Sequence, residues 1–401
     1  SFVAGIVIAL IAMLLDRITA GLATKSGNYK IKEKSFFLRN KYWFIAIAGT
    51  ALFFLISYFF PLFNEWPREL ETSPAKSINQ GLEFFVINFG SQIDYVKQFA
   101  FFFIMLPTKI GLQFSVSPYT WGFELTIYHT IFYFVLMTIF TFWGFLKWGN
   151  NLAISLVLFS IFLYFGLTNM PWPSLILIYG LIAFKISGLA LSIGTVLGIS
   201  FLASTGVLPQ ALLSIYLCGI GVVISFFIGS SLGIWAAHND RVSAFMRPIN
   251  DTLQTMPSFV ILIPFLMIFK IGEFTALLAI VAYAFVPAMR YTEHGLRNLP
   301  ETVIEAATMI GCSKSQLLWY VKIPLALPVI MLGLNQTIMY GLAMLVIAAL
   351  VGTTGLGQLI YIGLSKANFG SGMIAGVGIA TIAMIADRMT QAWSRSLEKK
   401  V

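Results

Sequence analysis

Charge is what this 401-residue chain has least of: 16 acidic and 25 basic side chains, 10% together, against 58% hydrophobic residues. So little polar surface cannot cover a soluble globule, and the chain reads as an all-α polytopic membrane protein. Cysteine is nearly absent. Cys218 falls in an apolar run and Cys312 in a polar loop, so neither a disulfide nor a thiolate metal site is supported. The histidines His129, His238 and His294 have no partner at ligand spacing and read as structural or interfacial. No Gly-x-x-x-x-Gly-Lys-Ser/Thr stretch occurs, which excludes ATP held on such a loop of this chain. From Gly188 to Asp387 no ionisable residue falls at mid-span, since Lys270, Arg290 and Asp387 sit at ends. Proton relays need such groups, so a proton-coupled carrier is disfavoured; sodium coupling through backbone carbonyls stays open. No catalytic residue, metal site or bound cofactor is assigned. The net charge of +9 is accounted for by positive cytoplasmic loops rather than by nucleic acid.

What the chain does have is long apolar runs. Residues 3–21 read as a membrane helix that repeats near the end of the chain: at an offset of 371, ten identities fall in nineteen positions, among them Asp16, Arg17 and Thr19 as Asp387, Arg388 and Thr390. Residues 1–22 are therefore expected to be the last helix of a preceding, similar unit in a tandem fusion. A basic linker over 23–41 should be cytoplasmic. Residues 42–168 supply accessory helices, with crossings at 42–62, 125–146 and 151–168 and an external amphipathic segment from Ile78 to Gln113 suited to lying in the interface. Loop-charge parity splits the stretch 170–206 at Lys185-Ile186-Ser187-Gly188. Further spans are expected at 211–237, 257–270, 274–290, 326–350 and 368–386, about eleven in all, with Pro264 making the short one kinked or partly re-entrant and Gly352–Gln358 a flexible outer segment. A main domain over 169–393 and a cytoplasmic tail over 394–401 complete the layout.

Between two of these spans lies a polar island, 300–324. Pro300 and Glu301 suit a helix start, Gly311 a helix stop, and Ser313 with Gln316 has capping-box spacing. The second helix is expected to end before Pro324. The product is a helix-turn-helix tethered to the membrane face. Glu305-Ala306-Ala307, Gly311 and Pro324 stand at the spacing of the cytoplasmic EAA loop of ABC-importer permeases, with Val321 and Ile323 in its apolar positions. The island resembles that loop, and the resemblance implies docking of these residues onto a separate ATPase.

The likeness extends, most clearly from Met170 to Trp393, to the permease subunits of glycine betaine/proline betaine ABC importers. It is carried by Leu232 to Ala237, Arg247-Pro248, Asp251 to Val260, Asn335-Gln336-Thr337 and Gly355 to Gln358. It implies a type I ABC-importer permease fold in a bacterial inner membrane and a permease without its own ATPase site. Its partners would be an ATPase pair holding ATP and Mg, an extracytoplasmic binding protein for quaternary amines, and a second permease unit. Choline, carnitine, proline betaine and trimethylamine N-oxide stand beside glycine betaine as substrates. The substrate path is placed at Gln254, Thr255, Met256, Pro257, Asn335, Gln336 and Thr337, polar or helix-breaking positions at membrane edges. A sodium-coupled carrier or channel is the alternative, and it leaves the polar island unexplained.

Overall fold

The structure, a computed structural model, describes residues 41–60, 74–113, 127–148 and 172–398, with scattered helical positions between 7 and 21 and between 153 and 161. The basic linker up to residue 40, the run 63–73, Gly149-Asn150, the end of the tail and most of the expected helices 1–22 and 151–168 lie outside the described residues. The chain divides into two compact units, 1–88 and 89–401. In the first, α1 (Lys41–Phe59) presents Trp43, Phe54 and Tyr58 outward.

The second unit is entirely helical among its described residues. It takes in the end of α2 (Pro74–Ala100), a π-helical turn Phe101–Met105, α3 (Leu106–Gln113) and α4 (Ile127–Trp148). Next come α5 (Trp172–Ser187) and α6 (Leu189–Ser204), which break at Gly188, φ +83°. Ser192 Oγ donates to the Gly180 carbonyl at 2.8 Å, so the two helices form the hairpin expected from the Lys185–Gly188 break.

The core is α7 (Leu208–His238), α10 (Glu273–Arg297) and α13 (Ile323–Ala348), with α15 (Phe369–Glu398) against α13. Between them lie α8 (Asp240–Thr255), α9 (Ser258–Phe269), α11 (Glu301–Met309), α12 (Lys314–Gln316) and α14 (Leu356–Ser365). On α7, Gly221, Ser225, Gly229 and Gly233 recur every fourth residue and are all buried. This stripe faces α10. A β-carbon at Gly229 would stand 2.6 Å from the Phe285 carbonyl oxygen, and one at Gly233 2.7 Å from that of Met289. Ser225 Oγ donates to the Gly221 carbonyl at 2.6 Å and reaches the Val281 carbonyl at 3.3 Å. Small residues let two backbones meet, which drives helix association where the surroundings offer no hydrophobic effect.

Among the described residues, four helical stretches are long and apolar enough to cross a membrane: Leu208–His238, Glu273–Arg297, Lys314–Val351 and Phe369–Leu397. A fifth is possible if the bent pair α8–α9 counts as one span. The expected eleven crossings thus include several runs whose helices are short. At 16 residues, α5 and α6 extend about 24 Å each, below the roughly 30 Å of a hydrocarbon core.

The sharp bend of this region lies at Met256–Pro257, where α8 and α9 meet at 103°, because Pro257 keeps Met256 extended at ψ 130°, and α9 carries Pro264 inside it. Two local expectations are corrected. The helix after Ser313 does not end before Pro324. A π-helical segment, Leu317–Lys322, widens the coil so that the Ile323 N–H reaches the Leu318 carbonyl, and Pro324 enters the first turn of α13. Gly352–Gln358 is built rather than flexible: Leu356 is fully buried, its N–H bonds Ser214 Oγ at 2.9 Å, and Gly355 (φ +119°) lies against that same hydroxyl.

The segment expected in the interface is anchored by side chains on its inner face. Met105 is fully buried beside Leu213, Tyr216 and Leu217. Lys109 pairs with Glu273 at 2.6 Å, and Glu273 also accepts from Tyr216 at 3.1 Å and Thr354 at 3.0 Å.

Replacing Gly229 by Val should destabilise the purified chain by about 1–3 kcal/mol, because the α10 backbone has no room to retreat. Gly219→Ala, where a new methyl meets nothing within 4 Å, should be neutral or slightly stabilising. Thermal unfolding in detergent checks both, and equal midpoints for the two variants would contradict the packing assigned to the stripe.

Candidate functional site

The polar island forms a closed hairpin of two helices. Pro300, at the N-cap of α11, leaves Glu301 in the first turn, where its charge complements the helix dipole. At the other end the Ile310 and Gly311 N–H groups bond the carbonyls of Ala306 (3.1 Å) and Thr308 (2.9 Å), and Cys312 N–H reaches Ala307 at 3.2 Å. Gly311 has φ +91°, and a β-carbon there would meet nothing within 4 Å. Its requirement is conformational, not spatial. Ser313 and Gln316 then form a reciprocal capping box, Ser313 N–H to Gln316 Oε1 at 2.9 Å and Gln316 N–H to Ser313 Oγ at 3.3 Å.

With its turn and its second cap satisfied internally, the hairpin leaves side chains free for another molecule. Ala307 is buried against the following helix, whereas Glu305 and Ala306 are exposed, so the two alanines have different surroundings. Beside them Met309 is 89% exposed, Ile310 85%, Tyr320 80% and Trp319 60%. A carboxylate ringed by exposed apolar and aromatic groups on a rigid support has the composition of a binding surface. Val321 and Ile323 are half-buried, and Pro324 is exposed in the first turn of α13. The hairpin is fixed to the core by Lys322, whose ammonium lies 3.5 Å from His238 Nε2. His238 Nδ1 is 2.8 Å from the Ile234 carbonyl and must donate to it, which leaves Nε2 as an acceptor for Lys322.

A polar cluster lies nearby, where α8 meets the end of α10. Arg290 pairs with Asp251; Arg297 pairs with Asp240 at 2.8 Å and with Glu293 at 3.0 Å, and donates to the Ala236 carbonyl at 2.6 Å. Ser243 Oγ bonds Glu293 at 2.6 Å. These bonds join α7, α8 and α10 around an open cavity of about 670 Å³ lined also by Arg247 and His294.

The residues expected to line a path divide into two groups. Gln254, Thr255, Met256 and Pro257 gather at the 103° bend and are half-buried, with Thr255 Oγ1 donating to the Asp251 carbonyl at 2.9 Å. Asn335, 4% exposed, donates to Asp387 Oδ1 at 2.8 Å and accepts from Thr390 at 2.7 Å. Thr337 is buried and donates to the Gly333 carbonyl at 2.8 Å. Asn335 therefore joins α13 to α15, whereas the Thr337 bond stays within α13. Gln336 alone of the three is half-buried, with no hydrogen-bond partner among the described residues. Sequence reasoning missed the Asn335–Asp387–Thr390 bridge, although Asp387 and Thr390 had drawn notice as part of the internal repeat. Among the described residues no three His, Cys, Asp or Glu side chains gather as a metal site.

Comparison with known proteins adds the following. Residues 229–399 match the family described as "Binding-protein-dependent transport system inner membrane component". The glycine betaine/proline betaine transport system permease protein ProW of Escherichia coli is 38% identical over 57% of this chain and 65% of its own length. The glycine betaine transport system permease protein OpuAB of Bacillus subtilis is 36% identical over 63% of this chain and 88% of its own. The trimethylamine N-oxide transport system permease protein TmoV of Ruegeria pomeroyi is 27% identical over 98% of this chain and 52% of its own. The chain thus spans less than two thirds of the E. coli relative and about half of the Ruegeria one.

Two substitutions test the geometry. Gly311→Val should open the hairpin by about 1–2 kcal/mol, the cost of a left-handed conformation, and speed amide exchange across 301–322 roughly tenfold, while Gly311→Asn should leave it nearly unchanged. Asn335→Leu should destabilise the chain by about 1–3 kcal/mol by stripping a partner from the Asp387 carboxylate. Thermal unfolding at neutral pH measures the second, and an unchanged midpoint would show that the bridge contributes nothing.

Proposed function

This chain belongs to the family of binding-protein-dependent transport system inner membrane components, and from that premise we propose that it is the permease subunit of an ATP-driven importer of glycine betaine or a related quaternary amine or N-oxide. It forms the translocation path and holds no ATPase site of its own. ATP and Mg are bound by a partner ATPase pair, and an extracytoplasmic binding protein delivers substrate. The complex sits in a bacterial inner membrane, and a second permease unit, in the same chain or in another copy, completes the pore.

One observation carries this reading. The hairpin formed by Glu305-Ala306-Ala307, Gly311, Val321, Ile323 and Pro324 has its turn and second cap closed by its own hydrogen bonds yet exposes Met309, Ile310, Trp319 and Tyr320. Such a surface is suited to a cleft in a partner. Because α12, the π-helical segment and α13 run without a break from Lys314 to Val351, a force applied at the hairpin reaches the full depth of the core. The names of the relatives support the substrate class: glycine betaine in two of them and trimethylamine N-oxide in the third.

The experiment is uptake into proteoliposomes carrying the chain, its neighbouring ATPase and the binding protein. Uptake of labelled glycine betaine or trimethylamine N-oxide should require internal ATP and be lost in the double variant M309E/I310E, which should also fail to co-purify with the ATPase. Uptake driven by a sodium gradient without the ATPase would overturn the proposal. Mass measurement of the complex decides assembly, because one permease chain per two ATPases supports a tandem pseudo-dimer and two chains refute it.

A further inference from the structure

Many aromatic side chains of this protein lie on its apolar exterior, but two are arranged differently. Tyr283 of α10 and Tyr340 of α13 stack with ring centroids 5.0 Å apart and planes inclined by 30°. Both are half-buried, and neither hydroxyl has a hydrogen-bond partner among the described residues. Tyr283 lies ten residues into α10 from Glu273, and Tyr340 nine residues before Ala349. At 1.5 Å per residue these positions are each about 14–15 Å from the outer helix ends, close to the middle of a roughly 30 Å apolar layer.

An unsatisfied hydroxyl at that depth is costly against lipid, so the pair belongs on a wetted surface or against a second permease unit. The rest of the face agrees. Gln336, one turn before Tyr340, is half-buried without a partner, and Met339 and Ala343 beside it are exposed. This flank of α13 is left uncovered by its own chain. It offers two aromatic faces with their negative quadrupoles, two hydroxyls and an amide. None of these groups is ion-paired among the described residues. A small inorganic cation would need several oxygen ligands in place of its water. A quaternary ammonium needs only aromatic faces to receive its diffuse charge and methyl surface.

We propose that Tyr283 and Tyr340, flanked by Gln336, form a transient cation–π site for the quaternary ammonium group of the substrate midway along the path. The inference rests on the importer reading above and adds the residues that hold the substrate inside the membrane. A site of this kind is worth modest affinity, which suits a path that must release its cargo: binding strong enough to admit it, weak enough to let it leave.

The test uses proteoliposomes of the full complex at saturating loaded binding protein, so that the binding protein's own selectivity drops out of the rate. Tyr283→Leu and Tyr340→Leu should each lower maximal glycine betaine uptake about five- to tenfold, while the corresponding Phe variants, which keep the aromatic face, stay within about twofold. If a Leu variant fails to assemble, a fluorinated phenylalanine at position 340 replaces it, since fluorine keeps the ring's shape and cancels its quadrupole. It should transport as slowly as the Leu variant was expected to. The site is refuted if the Leu or fluorinated variants keep the wild-type rate, or if the Phe variants fall as far as Leu. A wild-type complex that moves glycine betaine while the Leu and fluorinated variants keep its rate refutes the site alone; one that moves no quaternary amine refutes the importer reading and the site together.

Discussion

The close approach of α7 to α10 is the constraint on which the rest depends. In an apolar layer, helices gain nothing from excluding water from one another, so they associate through backbone proximity, dispersion and the few hydrogen bonds they can share. Gly229 and Gly233 place the α7 backbone against the carbonyls of Phe285 and Met289. With that contact made, α10 presents its other side to α13, where Gly333 sits against Tyr291, and α13 in turn holds α15 through Asn335 and Asp387. Each layer is positioned by the one before it.

On this core the functional surfaces are arranged along one continuous helical rod. The hairpin at 301–322 is stiff because its turn, cap and π-helical exit leave few backbone groups unpaired. The rod continues past the Asn335 bridge to Tyr340 and ends beside Gly272, whose N–H bonds the Val351 carbonyl at 3.0 Å. At that end Glu273 gathers Lys109, Tyr216 and Thr354, so the segment before the core is tied to the start of α10. A displacement of the hairpin is therefore transmitted as motion of a packed helix rather than absorbed in a loop.

Much of this was legible in the chain. Gly311 announced a left-handed stop and Ser313 with Gln316 a capping box, because each depends on contacts within a few residues, and the Lys185–Gly188 break followed from the charge of the loops around it. The prediction that rested on one residue's usual habit failed at Pro324, which lies within a helix behind a widened turn, and the bend made by Pro257 went unread. Gly352–Gln358 looked flexible because its glycines are read locally, yet Ser214, more than a hundred residues earlier, supplies the hydroxyl that fixes it.

The sequence by itself determined the membrane class, the polar island with its turn chemistry, and the spacing that marks its family. These follow from composition and from short-range backbone preferences that survive in any fold. The stripe Gly221-Ser225-Gly229-Gly233 was also written there at a helical period, but its partner was not. Only the tertiary structure decided that the stripe meets α10, that Asn335 bonds Asp387, and that Tyr283 and Tyr340 stack. Those pairings join residues some fifty to sixty positions apart, and which faces of two helices meet is set by the packing of all the others.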